Sequence, residues 1–213
     1  MIRAENLGEC LKISAQILEK NRPDIVLVHA DRGEHLMVAY AALNLGIPIA
    51  HTQGGEVSGN IDDIQRHAIS KLAHLHFPET EVSGTRLIAL GEENWRINVV
   101  GSVYIDRIVK KMYPDLAGTR KKYGLGLDEN YFIVIFHPDT YETKEWNYLA
   151  MHNLLAATKA FGKKIFVLYP CSDPGYEGVL RSIDDVKDDS QFLVYKNIEN
   201  LDFLSYVLQT FRN

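Results

Sequence analysis

A chain of 213 residues, 46% hydrophobic and 24% charged, has enough apolar side chains for a sizeable core and falls outside disordered, collagen-like and coiled-coil compositions. Its 23 Lys and Arg against 28 Asp and Glu leave a formal charge of -5, without the basic field that nonspecific nucleic-acid binding needs. Cys10 and Cys171 show neither disulfide-framework nor metal-ligand spacing, which suits a reducing cytoplasm.

The chain opens with apolar residues at helical spacing around Glu5 and Glu9, unlike the core of a signal peptide, and a helix is predicted over 7–20. A strand at 25–30 ends in His29-Ala30-Asp31-Arg32-Gly33-Glu34, and a helix follows over 35–45. The strand at 48–52 runs into His51-Thr52-Gln53-Gly54-Gly55-Glu56, then come a helix at 61–74, a short strand at 76–78 and a helix at 82–90. A strand at 97–101 leads to Ser102-Val103-Tyr104-Ile105-Asp106, read as a turn. The stretch 113–130, with Pro114, Gly118, Gly124 and Gly126, reads as a boundary. Beyond it lie strands at 131–136, 164–169 and 192–195 and helices at 144–161 and 201–211, with the acidic stretch 184–189 taken as a solvated loop. Alternation of β-branched runs with amphipathic segments predicts an α/β protein built from parallel sheets, in two domains, 1–113 and 114–213. The longest apolar runs, such as 131–136, are far short of the roughly twenty residues that cross a bilayer, so no membrane partner is expected.

In open parallel sheets ligands bind beyond the carboxyl ends of the strands. The polar residues that follow strands are therefore the candidates: Asp31, Arg32 and Glu34, then His51, Gln53 and Glu56, then Asp106, then His137 and Asp139. Taken singly, Asp106, Glu34 or Asp139 would more often cap or turn a loop, and their shared position after strands weakens that reading. The run Gly54-Gly55-Glu56-Val57-Ser58-Gly59-Asn60 places glycines before a helix, where backbone N–H groups can approach an anion, although no Gly-Lys-Ser/Thr follows. Asn60 is a suitable N-cap and Asp62 and Asp63 suit the first turn. Ile61, Ile64, Ala68, Leu72 and Leu75 read as the buried face of that helix, leaving Asp62, Asp63, Arg66 and Lys71 away from the core. His67, His74 and His76 cluster without a chelating pattern, so no metal is expected. Neither a nucleophile-elbow motif nor a dinucleotide fingerprint occurs, and no cofactor is expected.

The run from His51 to His67, His-x-x-Gly-Gly-Glu-Val-Ser-Gly-x-Ile-Asp-Asp-x-x-Arg-His, continued by Ala-Ile-x-Lys-Leu-Ala-His to His74, resembles the UDP-N-acetylglucosamine 2-epimerase family. Its hydrolysing branch, which feeds sialic and related nonulosonic acids, is the closer likeness. Pro23-Asp24-Ile25-Val26, His29-Ala30-Asp31-Arg32, Tyr104-Ile105-Asp106 and His137-Pro138 agree in order. Many relatives carry Glu where Gln53 stands, and Asn where Cys171 stands. The resemblance implies two Rossmann-like domains of the glycosyltransferase-B arrangement with a cleft between them. It also implies that the chain lacks the family's first Gly/Arg-rich strand-turn and its C-terminal Gly-Asn-Ser-Ser and Gly-x-Arg segments, so that both domains are incomplete.

What the resemblance implies chemically is loss of UDP from a 2-acetamido UDP-sugar by removal of the C2 proton, then addition of water to give the free 2-epimer, such as N-acetylmannosamine. Carried over residue by residue, Asp31, Gln53, Asp62, Asp106 and His137 fall at catalytic positions, and Arg32, His51, Glu56, Ser58 and Asp173 at substrate-binding ones. A cytoplasmic homodimer is expected for the intact protein. A nucleotide-sugar glycosyltransferase of similar architecture, or a noncatalytic relative acting as an assembly partner, remains open at this point.

Overall fold

The computed structural model describes residues 3–59, 61–124 and 130–210, with side chains described from 4 to 205 within those stretches. The chain divides into two compact units, Met1–Ile105 and Asp106–Asn213, whereas the sequence reading places the boundary after residue 113.

In the first unit, α1 (Arg3–Asn21) precedes β1 (Val26–His29), α2 (Gly33–Asn44), β2 (Ile49–Thr52), α3 (Ile61–Leu72), β3 (Leu75–Phe77) and α4 (Glu81–Ala89). The strands form a parallel sheet in the order β1-β2-β3. Val26 pairs with Ile49 and His29 with Thr52, while Ala50 pairs with Leu75 and Thr52 with Phe77. The registers bring the carboxyl ends of all three strands level, and this sets the site's position. Val28, Ala39, Ala42, Ile47, Ile49, Ile69 and Ala73 make one core cluster. The small residues of α2 let it approach β1 and β2 closely.

The second unit contains α6 (Leu116–Lys122), β4 (Tyr131–Ile135), α7 (Lys144–Lys159), β5 (Lys164–Leu168), α8 (Tyr176–Asp184), β6 (Phe192–Tyr195) and α9 (Asn200–Thr210). Its sheet is again parallel, β4-β5-β6. The central β5, Lys-Ile-Phe-Val-Leu, is covered on both faces, as a nearly continuous apolar run requires. Ile165 and Val167 meet Met151, Leu155, Val179 and Ile183 on one side. Phe166 and Leu168 meet Tyr123 and Ile198 on the other, where Phe166 stacks on Tyr195 at 4.8 Å between ring centres. Tyr123 and Lys122 at the end of α6 both bond Asp202 of α9, at 2.8 and 2.7 Å, which ties those two helices together under the sheet.

Four sequence expectations change. The stretch 97–101 is not a strand: it makes a single bridge, Ile97 to His76, and bonds β3's line of carbonyls only through Asn98 N–H to His76 and Val100 N–H to Pro78. Tyr104-Ile105-Asp106 is not a turn but part of a short helix, α5 (Val103–Val109). Helix α8 was not foreseen because Pro174, Gly175 and Gly178 read as loop, yet a parallel connection from β5 to β6 demands a crossover. Helix α6 lies inside the stretch 113–130 that reads as a boundary, whereas the acidic stretch is turn and bend from Asp185 on, with only Asp184 taken into the end of α8. The N-cap Asn60 and the helix end at Phe211 lie outside the described residues.

Gly178 explains how α8 packs on α7. A Cβ there would lie 2.1 Å from the Lys144 carbonyl oxygen and 3.1 Å from the Tyr148 nitrogen, both backbone atoms that cannot swing aside. Gly178→Ala is therefore expected to lower the unfolding free energy by about 1–3 kcal/mol, the usual cost of overpacking. Urea denaturation followed by circular dichroism measures it, and an unchanged midpoint would mean that the two helices separate freely.

Candidate functional site

The carboxyl ends of β1, β2 and β3 gather most of the first unit's candidates. Asp31 follows β1, and its carboxylate is held by the guanidinium of Arg66, which also reaches Asp63 Oδ1 at 3.2 Å. The Arg66 side chain is only 7% exposed. Burial alone opposes its charge, so the two carboxylates are what make a cation tolerable there. This turns α3 from its expected orientation, although Leu72 still packs against the core and Lys71 stays outward. Its buried face is Gln65, Arg66, Ile69 and Ser70, whereas Ile64 is 70% exposed. The ion pairs and Ser70 draw the polar side inward.

Asp63 closes the turn before α3. It accepts from the backbone N–H groups of Ser58 and Gly59 and from Ser58 Oγ at 3.0 Å. Burial pushes its pKa up, but those donors outweigh it and hold the carboxyl below the usual range. Ser58 is thereby a cap partner of Asp63. Asp62, half-buried, stands beside it in the first turn.

After β2, His51 is fully buried. Its Nε2 lies 2.8 Å from the Ala30 carbonyl and its Nδ1 3.1 Å from Ser70 Oγ, so the ring braces the turn after β1 against α3. Burial pushes its pKa down to about 4. Gln53 donates from Nε2 to Glu79 Oε1 at 2.8 Å. Burial, with Glu79 nearby, raises Glu56 above the ordinary carboxyl range. His29 Nδ1 pairs with Thr52 Oγ1 at 2.7 Å. Arg32 is half exposed and lies 3.4 Å from Glu34. Ala30 and Gln53, each one residue past its strand, both take a φ of 61°.

The glycines between Gln53 and Glu56 serve close packing. A Cβ on Gly54 would sit 3.0 Å from His51 Nδ1 and Ser70 Oγ, and one on Gly55, whose φ is 81°, would sit 2.2 Å from the Ser83 carbonyl. Only Gly59 of this loop faces open space.

In the second unit His137, just past β4, has Nδ1 3.1 Å from Cys171 Sγ, and Cys171 Sγ lies 2.7 Å from Asp173 Oδ2. Burial, then Asp173, pushes the thiol's pKa up. His137 lines a cavity of about 210 Å³ at the carboxyl ends of β4, β5 and β6, with Tyr169, Lys196, Asn197 and Asn200 among the other walls. Asp106, on α5, is 69% exposed and pairs with Lys110 at 2.9 Å.

His76 and His74 have structural partners. His76 bonds the buried Glu92, which also takes Lys71 and Arg96, and His74 Nδ1 accepts from the Ile49 N–H. Among the described residues no helix is long and apolar enough to cross a membrane. The sequence reading placed Arg66 away from the core and gave it no role, and it passed over Glu79. Asp63 and Arg66 at i and i+3, and the place of Glu79 directly after a strand, are the signals that could have found them.

Two parallel-sheet units with polar residues gathered at their strand ends define an α/β protein of two Rossmann-like domains. Solved structures agree: UDP-GlcNAc 2-epimerases from Methanocaldococcus jannaschii (TM-score 0.80, 20% identity, 97% of this chain and 58% of that one) and Neisseria meningitidis (TM-score 0.75, 18%, 96% and 57%), both determined with UDP-GlcNAc bound, share the glycosyltransferase-B type of fold. Residues 2–210 match the UDP-N-acetylglucosamine 2-epimerase family, and the chain belongs to it. It is 34% identical over 201 residues to a UDP-N,N'-diacetylbacillosamine 2-epimerase (hydrolyzing) of Legionella pneumophila, covering 94% of this chain and 53% of that protein. A UDP-N-acetylglucosamine 2-epimerase of Neisseria meningitidis is 34% identical over 90% of this chain and 50% of its own. The chain thus spans about half the length of these relatives.

His51 supplies a test of the buried network. Its folded pKa is depressed, so the unfolded chain binds the extra proton between about 6.5 and 4, and stability rises with pH across that window. Stability is fully present above the unfolded value and is lost as pH falls toward 4, by about 3 kcal/mol from this group. Urea unfolding at pH 7.5 and 4.5 should show the slope, and His51→Gln should flatten it. An unchanged slope would place the pH dependence elsewhere.

Proposed function

We propose that the chain serves a hydrolysing 2-epimerase acting on a 2-acetamido UDP-sugar. The observation that carries this reading is the row of carboxylates at the ends of β1–β3, with Asp31 anchored by Arg66 and Asp62 beside the capped turn, in a chain 34% identical over 94% of its length to a hydrolysing 2-epimerase. Elimination needs a base for the C2 proton: the C–H pair becomes the C1–C2 double bond and the C1–O bond breaks with UDP leaving. Water then adds at C1 while a proton returns to C2.

Asp31 and Asp62 are the proton acceptors in this reading. Asp31 is kept in place by its ion pair with Arg66. Gln53 cannot take a proton, and as an amide it orients a hydroxyl or water. Glu56, whose burial favours the protonated form, is suited to return the proton, a more specific part than general substrate contact. The second unit's cavity, with Lys196 and His137, supplies a cation and hydrogen bonds for the nucleotide, and Arg32 keeps the substrate-binding position that the family likeness gives it. Asp106 keeps the catalytic position that the family likeness gives it. A UDP-sugar is then the small-molecule partner, and a cytoplasmic homodimer feeding nonulosonic acid synthesis is the setting proposed for it.

The test is UDP release from UDP-N-acetylglucosamine and from its diacetamido relative in D2O, with the sugar product examined for deuterium at C2. Asp31→Asn and Asp62→Asn should each lower turnover by about 100-fold or more, the scale of a general base. Asp31→Asn also takes a charge from the buried Arg66 and should lower stability, so its rate is measured where circular dichroism shows the native fold, and Asp62→Asn, which leaves that ion pair in place, is the control. Near-normal rates in both variants would return these residues to structural roles. UDP release that requires a sugar acceptor would instead mark a glycosyltransferase.

A further inference from the structure

With Asp173 as a carboxylate, the contacts among Cys171, Asp173 and His137 admit one arrangement of hydrogens. A thiol carries a single hydrogen. Sγ stands 2.7 Å from Asp173 Oδ2 and 3.1 Å from His137 Nδ1. Were the S–H directed at Nδ1, sulfur lone pairs would face a carboxylate oxygen at 2.7 Å with no hydrogen between them. Directing the S–H to Asp173 removes that repulsion, and the hydrogen in the other contact must then come from the ring. The raised pKa of the thiol agrees, since a proton donated to a carboxylate is held more tightly.

We propose that Cys171 and Asp173 are positioning residues that lock the neutral imidazole of His137 in its Nδ1–H form, so that Nε2 offers the second unit's cavity a hydrogen-bond acceptor. Cys171 is absent from the cavity's walls while His137 is one of them, so the thiol works from behind the ring. Nδ1 is spent on sulfur, and Nε2 is the polar atom left for a ligand. An acceptor at that point selects a hydroxyl or N–H of the ligand and opposes a phosphate oxygen, which leaves Lys196 as the cavity's cation. If the cavity is the nucleotide site proposed above, His137 meets the nucleoside or sugar part, and the phosphates lie toward Lys196.

The tautomer is read without any ligand, so it can fail independently of the nucleotide reading. Long-range proton–nitrogen correlation spectra of the 15N-labelled 213-residue chain at pH 8 report which ring nitrogen of His137 is protonated, with His137→Gln identifying its signals. The expected result is a protonated Nδ1 and a bare Nε2. Cys171→Ala should move the ring toward the Nε2–H form that free imidazole side chains prefer in water. Cys171→Ser, whose hydroxyl can donate to Asp173 and accept from Nδ1, should restore the wild-type pattern. A wild-type ring protonated at Nε2, or a pattern indifferent to Cys171→Ala in a protein with unchanged amide spectra, overturns the proposal. UDP titrated into the same sample tests the other question: no binding strikes the nucleotide reading while the tautomer result stands by itself.

Discussion

One buried cation organises the working end of the first unit. Arg66 is too enclosed to be charged without partners, and its partners, Asp31 and Asp63, come from a strand end and a helix cap. Removing either would leave an uncompensated charge inside the protein, a far larger cost than the net worth of the pair. The ion pairs therefore constrain three pieces of chain at once: the turn after β1, the Ser58-Gly59 loop that Asp63 gathers, and the first two turns of α3. His51 adds a second brace, from β2 to the same turn and the same helix. Local secondary structure alone would leave Asp31 on a loop; the arginine gives it an address.

This constraint also marks where sequence reasoning ran short. Parallel βαβ architecture was legible, because runs such as Ile-Ala-His-Thr and Lys-Ile-Phe-Val-Leu are short, apolar and separated by amphipathic segments. The position of Asp31, Gln53, Glu56 and His137 just past strands was legible for the same reason. The direction of α3 was not. Its isoleucines gave a persuasive apolar stripe, and only Asp31, distant in sequence, shows that Arg66 and its side of the helix turn inward. Helix α8 was hidden by glycines whose role is close approach, a property that becomes visible only when the neighbouring backbone is in place. How Cys171 meets His137 likewise depends on two strands lying side by side.

The two units solve a similar problem with different means. Behind its strand ends the first uses charge: an arginine between carboxylates, and the buried Glu92 among Lys71, His76 and Arg96. The second leans on aromatic rings under its sheet, Tyr123, Phe166 and Tyr195, with Asp202 receiving both Tyr123 and Lys122. Ion pairs impose direction and stacked rings fill volume. The first arrangement suits a rim that must hold carboxylates at fixed places, and the second suits a floor beneath a cavity.

The left-handed backbone at Ala30 and Gln53 carries a quieter implication. Register pairs the last residues of β1 and β2, His29 with Thr52, so the two strained residues follow neighbouring strands at the same level and swerve alike. A conformation that costs an L-residue about 1–2 kcal/mol is thus adopted twice, side by side. Glycine would relieve both, but it would also let each loop relax independently. Keeping side chains there makes the rim a stiff, matched pair of bends, with the positional accuracy of the site held in the main chain as much as in the groups that it displays.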